Sequence, residues 1–242
     1  MAADAHVERV VLRDGKALAT AAAETIASAL AEAVARGGRA TLALSGGGTP
    51  APAYRLLGRH VAVDWSRVHV FQVDERCVPP DHQDSNWRMI VQTLLSPARV
   101  PQANAHRMEG ERRPAGAARD YEGLVQTAFA GAAPAFDAVV LGIGADGHVA
   151  SLFPGAPALR ARRRLVAHVE APASSPVRDR LTLTLPALNA ARLALFVVAG
   201  AGKRNAVARA LAGDRDAPAS LVRPAGGRVV WMLDPEAAGA SR

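Results

Sequence analysis

The sequence has 242 residues, of which 50% are hydrophobic and 21% are charged, with a formal net charge of +7. This balance is typical of a soluble globular protein. The sequence shows no secretory signal, and no apolar run approaches the roughly 18 residues of a membrane-spanning helix. We therefore expect a cytoplasmic protein with no membrane partner. The single cysteine, Cys77, excludes an internal disulfide and fits a reducing cytosol.

Strands and helices alternate along the chain, as in βαβ units. In chain order, the sequence predicts a strand at 7–12, a helix at 16–35, strands at 41–44 and 68–73, helices at 86–95 and 116–130, strands at 138–141, 165–169, 181–185 and 194–199, a helix at 204–211 and a strand at 229–233. We therefore expect an α/β fold, with a mostly parallel, doubly wound, Rossmann-like sheet flanked by helices, in one domain over residues 1–242.

Four of the predicted strands end in turns that carry glycine or charge, at residues 45–48, 74–76, 142–148 and 200–203. In a parallel sheet the carboxyl ends of the strands share one edge, and ligands of open α/β sheets bind there. The four turns are therefore expected to converge on one site.

The first of these turns begins with Ser45, Gly46 and Gly47 and leads into a helix started by Pro50. Consecutive glycines let backbone N–H groups crowd around an anion, and a helix N-terminus favours negative charge. The nucleotide-binding pattern G-x-x-x-x-G-K-[ST] is absent. The turn predicts an anion site, and the alternative is a flexible turn without a ligand.

Residues 136–155 read F-D-A-V-V-L-G-I-G-A-D-G-H-V-A-S-L-F-P-G and form the most informative segment. Its G-I-G-A-D-G fits the dinucleotide fingerprint G-x-G-x-x-G, which requires a long helix immediately afterwards. Pro154 and Pro157 interrupt any such helix. A nicotinamide or flavin enzyme is therefore disfavoured.

His148 follows the last glycine of this turn, and Asp146 lies two residues before it. Imidazole titrates near neutrality and is the commonest general base, and the aspartate could fix its tautomer or bind a substrate hydroxyl. No Cys/His cluster accompanies the pair, so we expect no metal. Ser45 lacks the G-x-S-x-G elbow of acyl-enzymes. The alternative for His148 is an ordinary structural histidine.

Charged residues at the other turns are candidate ligand contacts. Lys203 follows a Gly-x-Gly turn at a helix start, where its ammonium would join backbone donors around a phosphate. Arg180, ahead of a Leu-Thr-Leu-Thr strand, is a second candidate clamp, with a surface cation as the alternative. Asp74 and Arg76 could contact a ligand or form a structural ion pair.

Nearly all the positive charge is arginine, because lysine occurs only at positions 16 and 203. An excess of arginine and alanine is what a GC-rich coding sequence produces without functional demand. The densest run, residues 160–164, has no neighbouring aromatic residue to stack on bases. We expect no nucleic-acid partner and a solvated basic face that could steer an anionic substrate.

Five segments carry a family resemblance over nearly the whole chain. They are L-A-L-S-G-G-G-T-P at 42–50, V-D-E-R-C-V-P-P-D-H-Q-D-S-N at 73–86, L-G-I-G-A-D-G-H-V-A-S-L-F-P-G at 141–155, R-L-T-L-T-L-P at 180–186 and G-A-G-K at 200–203. Together they resemble the 6-phosphogluconolactonase family and the wider sugar-phosphate fold that it shares with glucosamine-6-phosphate deaminase. The D-G-H-x-A-S-L-F-P-G segment is the most specific of them.

The resemblance implies hydrolysis of 6-phospho-D-glucono-1,5-lactone to 6-phosphogluconate, the second step of the oxidative pentose phosphate pathway, without metal or organic cofactor. It implies that His148 activates water and that Asp146 orients it or the sugar. The residues implied to hold the phosphate are Ser45, Gly46, Gly47, Arg180 and Lys203, and those implied to lie near the ligand are Arg76 and Asp74. The expected partner is a phosphorylated sugar lactone, bound by a monomer or a weak homodimer.

Two alternative functions remain. The deaminases follow the histidine with V/I-A-F-N-E-P-G, whose glutamate assists ring opening, whereas Leu152 and Phe153 stand in the aligned positions here. Without that carboxylate the proton transfers of a deaminase are incomplete. A non-catalytic sugar-phosphate sensor would keep the phosphate loop but would not need His148, and it would usually carry a DNA-binding segment that is absent from this sequence.

Overall fold

The structure is a computed structural model that describes residues 6–129 and 135–240; residue 130, the last of the predicted helix at 116–130, lies outside them. The described residues form the strands β1 (His6–Val11), β2 (Ala40–Leu44), β3 (Val68–Gln72), β4 (Asp74–Arg76), β5 (Ala105–His106), β6 (Ala138–Leu141), β7 (Val166–Glu170), β8 (Asp179–Leu183), β9 (Leu193–Val198) and β10 (Arg228–Leu233). Their α-helices are α1 (Gly15–Gly37), α2 (Ala51–Leu57), α3 (Asn86–Ile90), α4 (Pro114–Ala128), α5 (Leu185–Leu188), α6 (Arg204–Leu211) and α7 (Pro235–Ala238).

The larger sheet is parallel throughout and has the order β1-β10-β9-β6-β2-β3-β5. Every residue of β2, β6 and β9 is buried, as expected for strands covered on both faces. Successive side chains enter different cores: Val139 and Leu141 pack with residues of α4 and α6, and Ala138 and Val140 with residues of α1 and α2. The predicted doubly wound, mostly parallel sheet is confirmed.

Helix α1 has sequence signals at both ends. Asp14 accepts a hydrogen bond from the Ala17 N–H at 2.7 Å, and Gly38 ends the helix at φ +75° while its N–H donates to the Val34 carbonyl. By length and composition alone this helix could cross a membrane, contrary to the expectation from the sequence. However, its buried face packs with residues of β2, β9 and β10. In this fold α1 is therefore a core helix of the sheet.

A second sheet is antiparallel and has the order β4-β8-β7. The sequence predicts residues 74–76 only as a turn and predicts strands at 165–169 and 181–185 without indicating a second sheet. Val73 explains the difference: its N–H donates to the Leu44 carbonyl at 2.9 Å, and its carbonyl accepts from the Leu183 N–H at 2.7 Å. The chain thus passes from one sheet to the other across a single residue.

The predicted helix at 86–95 has two hydrogen-bond patterns. The α-helical part ends at Ile90, and Val91–Leu95 continue as a π-helical turn, closed by the Ser96 N–H on the Val91 carbonyl. Within it, Thr93 Oγ1 donates to the Met89 carbonyl at 2.7 Å and offers that carbonyl a second partner. The apolar period predicted a helix here but not its type.

Candidate active site

Four turns of the chain line one cleft of about 270 Å³. They follow β9, β6, β2 and β3, which are neighbours in the parallel sheet. The lining residues are Ser45, Gly46, Gly47, Asp74, Arg76, Asn86, Gly142, Ile143, Gly144, His148, Ala150 and Lys203. Seven of the nine candidate residues from the sequence are among them; Asp146 and Arg180 are not.

The glycine turn after β2 presents free backbone donors. No described residue accepts a hydrogen bond from the N–H groups of Gly46, Gly47 or Gly48. Gly47 has φ +104°, a conformation that a side chain disfavours. Ser45 is held differently, since its Oγ donates to the Val140 carbonyl at 2.8 Å. This turn can therefore surround an anion with N–H groups, while the Ser45 hydroxyl proton is already in use.

His148 and Asp146 form a tight pair at the turn after β6. The His148 Nδ1 lies 2.6 Å from the Asp146 Oδ1, which also accepts from the His148 backbone N–H at 3.1 Å. Burial opposes ionisation of Asp146, but its hydrogen bonds and the charge of His148 outweigh this and lower its pKa. A Cβ on Gly144 would overlap the imidazole, so only glycine allows this close approach.

The second ring nitrogen of His148, Nε2, has no hydrogen-bond partner among the described residues. The ring also packs on Phe153, with 4.7 Å between the ring centroids. Because Asp146 and Phe153 hold the ring on two sides, the imidazole is oriented before any ligand arrives. It can act as a base through Nε2.

Asp74 and Arg76 lie on β4 beside the cleft. Asp74 accepts from Ser151 Oγ at 2.7 Å and from Asn86 Nδ2 at 3.3 Å, which fixes both carboxylate oxygens. Arg76 donates from Nη1 to the Asp84 carbonyl, and its buried Nε has no partner in the described part of the chain. An unpartnered buried N–H is unusual, so Arg76 keeps donor capacity for a ligand.

Lys203 belongs to a short 3-10 turn that precedes α6. The Gly200 N–H donates to Asp234 and the Ala201 N–H to Glu236, whereas the Gly202 N–H has no acceptor among the described residues. Lys203 itself forms no ion pair within residues 6–129 and 135–240. The charged group that this turn contributes to the cleft lining is therefore the Lys203 ammonium.

Residues 13–231 match the family model described as glucosamine-6-phosphate isomerases/6-phosphogluconolactonase. The chain belongs to this family. The 6-phosphogluconolactonase of Synechocystis sp. is 41% identical over 219 residues, covering 88% of this chain and 89% of the relative. The Homo sapiens 6-phosphogluconolactonase is 38% identical over 231 residues, which cover 93% of this chain and 88% of the relative. The solved 6-phosphogluconolactonase of Thermotoga maritima has 31% identity and a TM-score of 0.84, covering 94% of this chain and 99% of that chain.

In this member of the glucosamine-6-phosphate isomerase/6-phosphogluconolactonase family, Arg180 neighbours the cleft residue Arg76 but is not among the residues that line the cleft. It pairs with Arg76 across β4 and β8, and its Nε donates to the Val177 carbonyl at 2.9 Å. Burial, and next the charge of Arg76, lower the pKa of Arg180. Arg180 can therefore affect a bound anion through Arg76, but it does not line the cleft with the other candidates.

The cleft of this family member also contains residues that the sequence did not single out. Asn86 lines the cleft, and its side-chain amide holds the start of β4 by donating to the Asp74 carbonyl at 2.9 Å. Ala150 lines it with φ +52°, a left-handed conformation that non-glycine residues rarely adopt. The Ser-Asn pair at a predicted helix start was a usable signal for Asn86, whereas no residue pattern indicates the backbone angle of Ala150.

The described residues offer no ready set of metal ligands, because no three His, Cys, Asp or Glu side chains among them lie together in a suitable group. The G-x-G-x-x-G turn is not followed by the helix of a dinucleotide site either. After Gly147 the next helical segment is a short 3-10 turn, Pro157–Arg160, as the two prolines had predicted.

Proposed function

We propose that this chain hydrolyses 6-phospho-D-glucono-1,5-lactone to 6-phosphogluconate, a reaction of the oxidative pentose phosphate pathway. The relatives described above carry the name of this activity, 6-phosphogluconolactonase. The observation that carries the proposal is the position of His148. Its free Nε2 belongs to a cleft that is also lined by Lys203 and by Gly46 and Gly47, whose N–H groups have no acceptor among the described residues. Such a cleft combines one base with a grip on a remote dianion, which is what hydrolysis of a phosphorylated lactone requires.

In the proposed reaction His148 acts first as base and then as acid. Nε2 takes a proton from a water molecule, whose oxygen forms a bond to the lactone carbonyl carbon while the carbonyl electron pair moves to its oxygen. When this tetrahedral species collapses, the bond from carbon to the ring oxygen breaks. The ring oxygen then receives the proton from Nε2, which leaves the open-chain acid and a neutral imidazole.

Asp146 supports both steps from the other side of the ring. With a proton on Nδ1 shared with the aspartate at 2.6 Å, Nε2 is the nitrogen that is free to accept. When the imidazole becomes positively charged, the aspartate stabilises that charge. Asp146 is therefore proposed to orient His148 rather than to exchange protons with the substrate.

The phosphate is proposed to bind at the turn after β2. The N–H groups of Gly46, Gly47 and Gly48 would surround it, and Lys203 would neutralise part of its charge. Arg76, with its free Nε, is proposed to face the carbonyl end and stabilise the negative charge that develops on the oxygen. Arg180 would act on this end only through Arg76.

The deaminase alternative meets a physical obstacle in the loop after His148. Leu152 is fully buried and Phe153 packs on the His148 ring, so apolar side chains occupy the two positions aligned with the Asn-Glu pair of the deaminases. Neither can transfer a proton in ring opening. Of the two activities in this family, the loop after His148 therefore favours the lactonase for this chain.

The deciding experiment compares two assays on the same purified protein. We expect hydrolysis of freshly generated 6-phosphogluconolactone well above its spontaneous rate, and no ammonia from glucosamine 6-phosphate. Ammonia release without lactone hydrolysis would reverse the assignment. Binding of 6-phosphogluconate without turnover of either compound would favour a sugar-phosphate sensor instead.

A further inference from the structure

Glu75 is a buried carboxylate that the proposed reaction does not use. It is 2% exposed and lies at the centre of β4, between the cleft residues Asp74 and Arg76. Because side chains alternate along a strand, its carboxylate points away from the cleft that its two neighbours line. A charge in such a position is costly unless hydrogen bonds compensate it, so its surroundings need an explanation.

Five donors surround the two carboxylate oxygens of Glu75. Oε1 accepts from the N–H groups of Arg76 and Asn86, both at 2.7 Å, and Oε2 from Gln72 Nε2 at 2.8 Å, the Trp87 N–H at 2.8 Å and Ser85 Oγ at 3.0 Å. Four of these donors are N–H groups that cannot accept a proton in return. Burial raises the pKa of Glu75 while the hydrogen bonds oppose that rise, and the donor set fits the ionised form.

Two of the five donors belong to the backbone of cleft residues. The N–H of Arg76 fixes the start of the side chain that carries the free buried Nε. The N–H of Asn86 fixes a side chain whose amide donates to the Asp74 carbonyl at 2.9 Å. One carboxylate thereby holds the backbone of Arg76 and of Asn86, and the Asn86 side chain lies directly against Gly46 of the glycine turn after β2.

We propose that Glu75 is a positioning residue for the reaction. It touches no substrate; it fixes the position of Arg76 through a direct hydrogen bond and that of Asp74 through Asn86. The proposal rests on the proposed function. It predicts that loss of Glu75 impairs the contacts to the sugar and the carbonyl end. The phosphate contacts are affected less, because Gly46, Gly47 and Lys203 share no hydrogen bond with Glu75 and only the packing of Asn86 on Gly46 connects them to it.

The test is Glu75→Gln, which keeps the size of the side chain but turns an NH₂ group toward at least two of the donors. In a folded variant we expect kcat and the affinity for 6-phosphogluconate each to fall about tenfold or more, the effect of losing a charge-assisted hydrogen bond. The affinity for inorganic phosphate, measured by calorimetry, should stay within about twofold. Glu75→Asp, which keeps the charge, should lie between the variant and the wild type, and it serves as the test variant if Glu75→Gln does not fold.

The matched control is Leu30→Ala, which removes buried apolar contacts of α1 in the core on the other face of the sheet. It should lower the melting temperature without separating the two affinities. A Glu75→Gln protein with wild-type kcat and affinities, or with equal losses for both ligands, would overturn the proposal.

The outcomes also separate this proposal from the proposed function. A wild type that binds 6-phosphogluconate but does not hydrolyse the lactone would contradict the proposed function. The ratio of the affinities for 6-phosphogluconate and inorganic phosphate would still test whether Glu75 positions Arg76 and Asp74. A wild type that bound neither ligand would overturn both.

Discussion

At the scale of single residues, two histidine–aspartate pairs in this protein have the same short contact. His148 Nδ1 lies 2.6 Å from Asp146, and His168 Nε2 lies 2.6 Å from Asp179. The first pair adjoins the cleft with the glycine turn and Lys203, whereas His168 is not among the residues that line that cleft. The pair geometry alone therefore does not identify a catalytic histidine; its neighbours do.

This difference makes His168 a matched control for His148. We expect His148→Ala to lower kcat by about 10²–10⁴-fold, the usual contribution of a general base, while 6-phosphogluconate still binds. His168→Ala should retain the wild-type kcat. Steady-state kinetics and calorimetry measure the two effects, and an unchanged kcat for His148→Ala would remove this residue from the mechanism.

The two lysines of the chain provide a similar comparison for the phosphate. Lys203→Ala should weaken binding of 6-phosphogluconate by about 10–100-fold, because a charged hydrogen-bond donor to the dianion is lost. Lys16 is exposed on α1, so Lys16→Ala should leave the affinity for 6-phosphogluconate unchanged. Hydrolysis of unphosphorylated gluconolactone is the discriminating measurement, since an equal loss on that substrate would contradict a phosphate role for Lys203.

The candidate residues that could be predicted from the sequence are those placed by strand ends. Ser45, His148 and Lys203 each follow a buried strand, so the parallel sheet alone brings them to one edge. The strand-end argument does not apply to Arg180, because it lies on an antiparallel strand that the apolar pattern did not distinguish from the strands of the main sheet. The position of a side chain across an antiparallel pair depends on register, which needs long-range contacts to be known.

At the scale of elements, the turn after β6 depends on a glycine. A Cβ on Gly144 would overlap the His148 imidazole and the Asp146 carboxylate. Gly144→Ala should therefore push the pair apart and lower kcat by at least about tenfold, with a smaller change in KM. Gly123→Ala, which has open space in the middle of α4, is the control and should keep full activity. A fully active Gly144→Ala would show that the close pair is dispensable.

The edge of the parallel sheet contains a titratable pair. His69 on β3 and His106 on β5 share a hydrogen bond of 3.0 Å. Burial first, and the nearby His69 second, lower the pKa of His106 to about 4. The unfolded chain, where a histidine has a pKa of about 6.5, binds a proton that the folded chain does not. The resulting stability is complete above pH ~6.5 and is lost as the pH falls toward ~4.

We therefore expect the melting temperature of the wild type to fall between these two pH values. His106→Phe, which can still stack on Phe71 as His106 does with 4.4 Å between ring centroids, should show a weaker fall. Thermal unfolding at a series of pH values measures the difference. Identical pH profiles for the two proteins would exclude His106 as a source of acid sensitivity.

The element boundaries show where sequence patterns stop being informative. The helix at 204–211 and the strand at 138–141 were predicted with the observed bounds, because each has a clear apolar pattern and a turn at its end. The two-residue strand β5 and the four-residue helices α5 and α7 were not predicted. Segments this short have no period to detect, and tertiary contacts determine them.

At the scale of the whole molecule, the cleft is made by strand order. The strands β9, β6, β2 and β3 are adjacent in the sheet although they are distant in the sequence. A ligand that contacts the turns after all four strands stabilises the folded state over the unfolded chain, which has no such arrangement. The gain follows mass action and is about 2.7 kcal/mol at a ligand concentration of 100 Kd.

We accordingly expect saturating 6-phosphogluconate to raise the melting temperature by several degrees, since about 1 kcal/mol corresponds to ~2–4 °C for a chain of this size. Inorganic phosphate, which reaches only the glycine turn and Lys203, should give a smaller rise. Differential scanning calorimetry measures both. An equal rise with the two ligands would contradict separate phosphate and sugar contacts.

The passage of the chain from one sheet to the other at Val73 has a dynamic consequence. Because Leu183 donates to the Val73 carbonyl, opening of the small sheet at this point releases the residue next to Asp74. The exchange rate of the Leu183 amide proton with solvent is therefore a local measure of how firmly the β4 side of the cleft is held. Ligand binding should slow that exchange at a residue that the ligand never touches.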